Sequence, residues 1–177
     1  MRWCQTFTGG QFWPLHPRPE DVKIEDIAHA LSQVCRFAGH SIWPYSVGHH
    51  SLLVSANCRP ENALVGLLHD APEAFVGDMV TPLKRDMPTF EAAERGWALA
   101  IGDAFGLGEQ LVALPADVKE ADVRALMTEK RDVMSTCSHP WHSVGEPFET
   151  SITPATAPYI EDAFMRRFES LRKKLGG

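Results

Sequence analysis

The sequence predicts an all-α single domain, and three observations predict it. About six stretches carry apolar residues at the three-to-four-residue spacing of an amphipathic helix. Strands and helices do not alternate along the chain. β-favouring residues gather in two short runs around Gly9-Gly10. The expected architecture is a helical bundle with one or two small hairpins, built from 177 residues as a single domain over 1–177.

Trp3 to Thr8 and Gln11 to Leu15 flank the Gly9-Gly10 turn as a small hairpin. Pro14, Pro17 and Pro19 keep the next stretch irregular. The spacing of Ile24, Ile27, Ala28, Leu31, Val34 and Cys35 predicts a first helix over Ile24–Arg36, with Glu25 and Asp26 in the turn where the helix dipole favours acids. Gly39 and Pro44 punctuate the segment after it, and Ser46 caps a second helix, Val47–Asn57. Pro60 opens a third, Glu61–Ala74, buried through Leu64, Val65, Leu67 and Leu68. From Phe75 to Pro88 the chain is turn-rich, with one short helix near Pro82–Asp86. Thr89 caps a long helix, Phe90–Phe105, closed by Gly106. Another helix covers Pro115–Met134, and Thr153-Pro154 opens a last one to Lys174. Ser135–Ser151 reads as a loop or a second hairpin, and Arg172-Lys173-Lys174 as a solvated helix end.

Composition narrows the function. With 17 basic and 23 acidic residues the net charge is −6, histidines neutral. That argues against a partner presenting a nucleic-acid backbone. With 44% hydrophobic and 23% charged residues, disordered, collagen-like and disulfide-scaffold classes are excluded. No apolar run approaches the roughly 18 residues of a membrane span, and the N-terminal residues resemble neither a signal nor a transit peptide, so a cytoplasmic location is expected. Cys4, Cys35, Cys58 and Cys137 show no paired spacing and read as free thiols.

The chemistry-bearing residues are His50 on the second helix, His69-Asp70 on the third and Asp122 on the later long helix. Two imidazoles and two carboxylates suit a divalent ion and leave positions open for water and substrate. Glu73 and Asp78 come next as two further carboxylates, of use in activating water and protonating a leaving oxygen. Arg36, at the end of the first helix, and Lys84 can supply the cations that phosphoryl oxygens need. Cys137, His139 and His142 also suggest a metal cluster, but a structural zinc needs four ligands and no fourth lies at a fitting spacing, so a polar loop anchored by Trp141 is favoured.

The stretch from Tyr45 to Leu52 with His50, the run from Leu67 to Asp78 with His69, Asp70 and Glu73, and Val118 to Asp122 together resemble the HD superfamily of metal-dependent phosphohydrolases over 24–134. The continuation Gly77-Asp78, Thr81-Pro82 and Lys84 resembles the branch of bacterial 5′-deoxynucleotidases and phage dATP triphosphohydrolases. The resemblance implies an HD-domain bundle in which His50, His69, Asp70 and Asp122 bind one divalent ion (Zn, Co, Mn, Fe or Mg), with a second Mg on the substrate phosphates as a further expectation. It implies that Glu73 activates water, Asp78 assists the leaving group, and Arg36 and Lys84 hold phosphate. Phe37 stands where bacterial 5′-deoxynucleotidases commonly carry tryptophan; it and Trp43 are the expected substrate contacts at sugar and base. The leading expectation is dephosphorylation of dATP, with dADP and dAMP, to deoxyadenosine, in a homo-oligomer as in related enzymes. The alternatives are a broad-specificity 5′-deoxynucleotidase, a non-catalytic nucleotide-binding module and a cyclic-nucleotide phosphodiesterase.

Overall fold

In the computed structural model, which describes residues 2–141 and 145–175, the Gly9-Gly10 hairpin forms. Strands β1 (Cys4–Gln5) and β2 (Gln11–Phe12) pair antiparallel, Cys4 opposite Phe12. Buried Asp26 accepts bonds from the Thr8 amide at 2.7 Å and its hydroxyl at 3.1 Å, pinning the hairpin to the first turn of α1 (Ile24–Gln33).

Helix α1 stops short of the expected Arg36. The apolar period runs on through Val34 and Cys35, but these turn extended and pair with the chain before the next helix: Val47 N donates to Val34 O and Arg36 N to Tyr45 O, both at 2.9 Å. Arg36 therefore starts a tight turn, not a helix end. Phe37, Ala38 and Gly39 come after it with left-handed φ of 55°, 49° and 79°. Helix α2 (Val47–Asn57) has the expected bounds, and Ser46 Oγ accepts the His49 amide at 3.2 Å as its cap.

The single helix expected over Glu61–Ala74 is divided in two. After a turn at Pro60–Asn62, α3 covers Ala63–Leu68 and α4 covers Glu73–Val76. Pro72 has no N–H to give the Leu68 carbonyl, which accepts Ala71 N at 3.0 Å instead, and the chain tightens through His69 and Asp70. One-turn α5 (Thr81–Lys84) precedes α6 (Pro88–Phe105), whose start is set by Pro88, not by a Thr89 cap. Gly106 closes α6 at φ 72°.

Helix α7 (Ala116–Asp132) and helix α8 (Ala157–Leu175) complete the bundle. Helix α8 begins after the expected Thr153-Pro154, with Pro158 in its first turn. The connection between them contains no second hairpin among the described residues. It is latched to α7 by side chains: Thr128 Oγ1 accepts Phe148 N at 2.8 Å, Asp132 Oδ2 accepts Ile152 N at 2.8 Å, and Arg131 donates to Phe148 O and Thr150 O.

Among the described residues six helices have six or more residues, an all-α bundle with one small hairpin. Helices α1, α2, α3 and α8 pack together through Ile27, Leu31, Val54, Leu67 and Phe164. Trp97 of α6 is fully buried, stacked at 3.8 Å on Phe75 of α4, with Nε1 donating to Pro14 O at 3.0 Å. Truncating such a side chain costs about 3–5 kcal/mol, and its packing fixes the short helix that carries Glu73. Among the described residues no helix is long and apolar enough to cross a membrane.

Candidate metal centre

Three elements bring the expected ligands together. Helix α2 presents His50 with no exposed surface, the tightened turn after α3 presents His69 and Asp70, and α7 presents Asp122 from its solvent edge. His50 Nε2 lies 3.2 Å from His69 Nε2 and 3.1 Å from Asp122 Oδ1. Asp70 Oδ2 lies 3.3 Å from His69 Nε2 and 3.5 Å from His50 Nε2. One ligand atom each from His50, His69 and Asp122 falls within 4.8 Å of the others, so this buried group can hold a metal ion.

The other ring nitrogens show why the donor set fits. His69 Nδ1 donates to the Gly66 carbonyl at 2.9 Å, and His50 Nδ1 meets Glu129 Oε1 at 2.6 Å. With each Nδ1–H committed to an acceptor, each Nε2 is the nitrogen free to coordinate, and both face the two aspartates. His49, next in sequence, instead turns its ring to Tyr45 at 4.9 Å.

Electrostatics arise from this crowding. Burial and Arg36 lower the His50 pKa, but Glu129 and Asp122 outweigh them and push it up to about 10. Burial works to raise Asp70, yet His69, His50 and Arg36 hold its carboxyl well below the usual carboxylate range. Glu73 goes the other way: it is buried, its Oε2 has no hydrogen-bond partner, and burial with the charges of Asp70 and Asp78 raises it far above its ordinary value. Gly77, at φ 83°, turns the chain ahead of half-buried Asp78, which burial raises and which lies within the electrostatic reach of Arg36 and Asp70.

Arg36 is held inside the site, Nη2 3.1 Å from Glu129 Oε2 and Nη1 3.6 Å from Asp70 Oδ2. Lys84 lines the adjoining cavity of about 260 Å³ together with His69, Asp70 and Glu73, but its Nζ is already bound by Glu94 at 2.7 Å. Arg95, Leu111 and Val112 line the same cavity. Phe37 and Trp43 do not. They pack against the small core cluster of Tyr45, Val133 and Ile152, with the Phe37 ring 5.9 Å from Trp141. Cys137 and His139 are exposed, and His142 lies outside the described residues.

Two functional neighbours escaped the sequence reading. Glu129 sits two turns beyond Asp122 on α7, so its spacing placed it on the same face. Glu94 gave no signal, because its pairing with Lys84 joins α5 to α6 through space.

No family model matches the chain. It is 34% identical over 174 residues to the uncharacterized protein YfdR of Escherichia coli K12, covering 97% of this chain and 96% of that protein. It is 37% identical over 129 residues to an uncharacterized protein of Rhodobacter capsulatus, covering 67% of this chain and 64% of that one.

Proposed function

The chain belongs to the family of Escherichia coli YfdR, and we propose that it is a metal-dependent phosphohydrolase of the HD type acting on deoxynucleotides. The observation that carries the reading is the convergence of His50 Nε2, His69 Nε2 and the Asp70 and Asp122 carboxylates, with both Nδ1 atoms held from behind. A divalent ion held by those four residues supplies Lewis acidity, acidifying water and polarising a phosphoryl oxygen.

This chain's other residues do the rest. Glu73 lines the cavity with an uncommitted buried oxygen, placed to orient water and take its proton as the water oxygen attacks phosphorus. Asp78 returns a proton to the leaving oxygen as its bond to phosphorus breaks. Arg36 and Lys84 bind the phosphoryl oxygens, Lys84 by exchanging Glu94 for substrate. The leading substrate is dATP, with dADP and dAMP, and deoxyadenosine as product.

A second reading, a broad-specificity 5′-deoxynucleotidase, is favoured by one observation. Two of the three cations near the site are already paired with carboxylates, Arg36 with Glu129 and Asp70 and Lys84 with Glu94, which leaves Arg95 at the cavity wall and suits a single phosphate better than three. A panel of dNMPs, dNDPs and dNTPs, with phosphate, pyrophosphate and triphosphate products resolved, separates the two. Metal-dependent release from dATP that is lost in Asp70→Ala is the expected result. Absence of turnover across the panel, or turnover indifferent to chelation and to Asp70→Ala, overturns the proposal.

A further inference from the structure

Glu129 belongs to none of the sequence motifs, yet it is fully buried and its two oxygens are divided between two groups of the site. Oε1 accepts a hydrogen bond from His50 Nδ1–H at 2.6 Å, and Oε2 accepts one from Arg36 Nη2 at 3.1 Å. We propose that Glu129 is a positioning residue whose single carboxylate aims His50 at the metal and Arg36 at the phosphate, fixing the distance between the two halves of the site. This inference rests on the metal-dependent phosphohydrolase reading.

Hydrogen bonds and ion pairs together close a ring. His50 meets Glu129, Glu129 meets Arg36, Arg36 Nη1 reaches Asp70 at 3.6 Å, and Asp70 returns to His50 Nε2 at 3.5 Å. An imidazole can coordinate through either nitrogen, and rotation of the ring exchanges them. A carboxylate on Nδ1 removes that freedom and leaves Nε2 as the ligand. A guanidinium with several rotatable bonds likewise has many orientations, and the bond to Oε2 selects one of them. Because Glu129 is rooted on α7, seven residues after Asp122, the helix that supplies a ligand also supplies the brace for two groups on other elements.

A buried carboxylate that only tied α7 to α2 would affect stability and nothing else. The two roles separate in the purified full-length chain by Co(II) titration, monitored through the d–d absorption band, and by titration of the Co(II)-loaded protein with inorganic phosphate. In Glu129→Met both bonds are lost, and Co(II) affinity is expected to fall on the order of 10–100-fold with an altered band. Glu129→Gln keeps the shape and guards against a variant that fails to fold. Its one acceptor cannot serve both partners, so Co(II) affinity or phosphate affinity is expected to fall by about tenfold or more. A Glu129→Gln protein with wild-type Co(II) affinity, band and phosphate affinity, differing only in melting temperature, overturns the inference. A wild type that binds no Co(II) overturns the metal reading as well. A wild type that binds Co(II) without hydrolysing any deoxynucleotide sinks the phosphohydrolase reading alone, and the His50 brace is still decided by the Co(II) arm.

Discussion

Asp122→Ala separates the metal from the fold. Asp122 is the most exposed of the four proposed ligands, its side chain 42% exposed against 0% for His50, and it meets the other elements chiefly through Oδ1, 3.1 Å from His50 Nε2. Only the Asp122 side of this pair is exposed, but buried His50 keeps its bond to Glu129, so losing the pair costs the metal-free fold about 1 kcal/mol, or about 2–4 °C for a chain of this size. The proposed ion, in contrast, would be held by groups that meet only when α2, the turn after α3 and α7 are assembled, so it would stabilise the native state by mass action. At a hundred times its dissociation constant that is about 2.7 kcal/mol, which corresponds to a rise of about 5–11 °C. The assay is the thermal transition of chelator-treated wild type and variant, with and without Mn(II) or Co(II). Wild type is expected to gain the full rise. Asp122→Ala is expected to start near the metal-free wild type and to respond far less at the same concentration. Equal gains in both proteins, or none in wild type, refute the reasoning.

Glu73→Gln is expected to lower kcat on the order of 10²–10⁴-fold while leaving the Co(II)-induced thermal shift intact; loss of that shift would place Glu73 among the ligands instead. Gly102→Ala would drive a methyl group into the Gly108 carbonyl oxygen, which belongs to backbone and cannot swing away. It is expected to cost about 1–3 kcal/mol or more, and a wild-type urea midpoint would contradict this. Asp132 is lowered from its ordinary 3.8 by its hydrogen bonds to Arg131 and, against some burial, to the Ile152 amide. Its folded pKa is the depressed one, so its stabilisation is complete above the unfolded value and disappears as pH falls through the folded value. Asp132→Asn should therefore flatten the fall in melting temperature below about pH 4; an unchanged acid limb would show that the latch to the 145–152 segment carries no stability.

Much of this fold is legible residue by residue, and the departures have physical causes. Ser46 makes the start of α2 readable because capping is local chemistry. The end of α1 is not, since Val34 and Cys35 fit the helical period but find better partners in the chain before α2. Pro72 stands in plain view, yet the apolar face on both sides of it masks the break between Leu68 and Glu73, within which His69 and Asp70 lie. At the site, ligands that share one point can be picked out by residue type and motif. Glu129 and Glu94 matter through contacts 79 and 10 residues distant in sequence, which no local pattern encodes.

The turn after Arg36 sets stability against precision. Left-handed backbone costs an L-residue with a side chain about 1–2 kcal/mol, so Phe37 and Ala38, at φ 55° and 49°, together store about 2–4 kcal/mol. Glycine at either position would release part of it and raise the melting temperature. It would also slacken the backbone that delivers the guanidinium to Glu129 and Asp70. Selection for heat tolerance alone would favour glycine there, whereas the proposed role of Arg36 would favour the stiffer turn, so the two demands would pull this sequence in opposite directions.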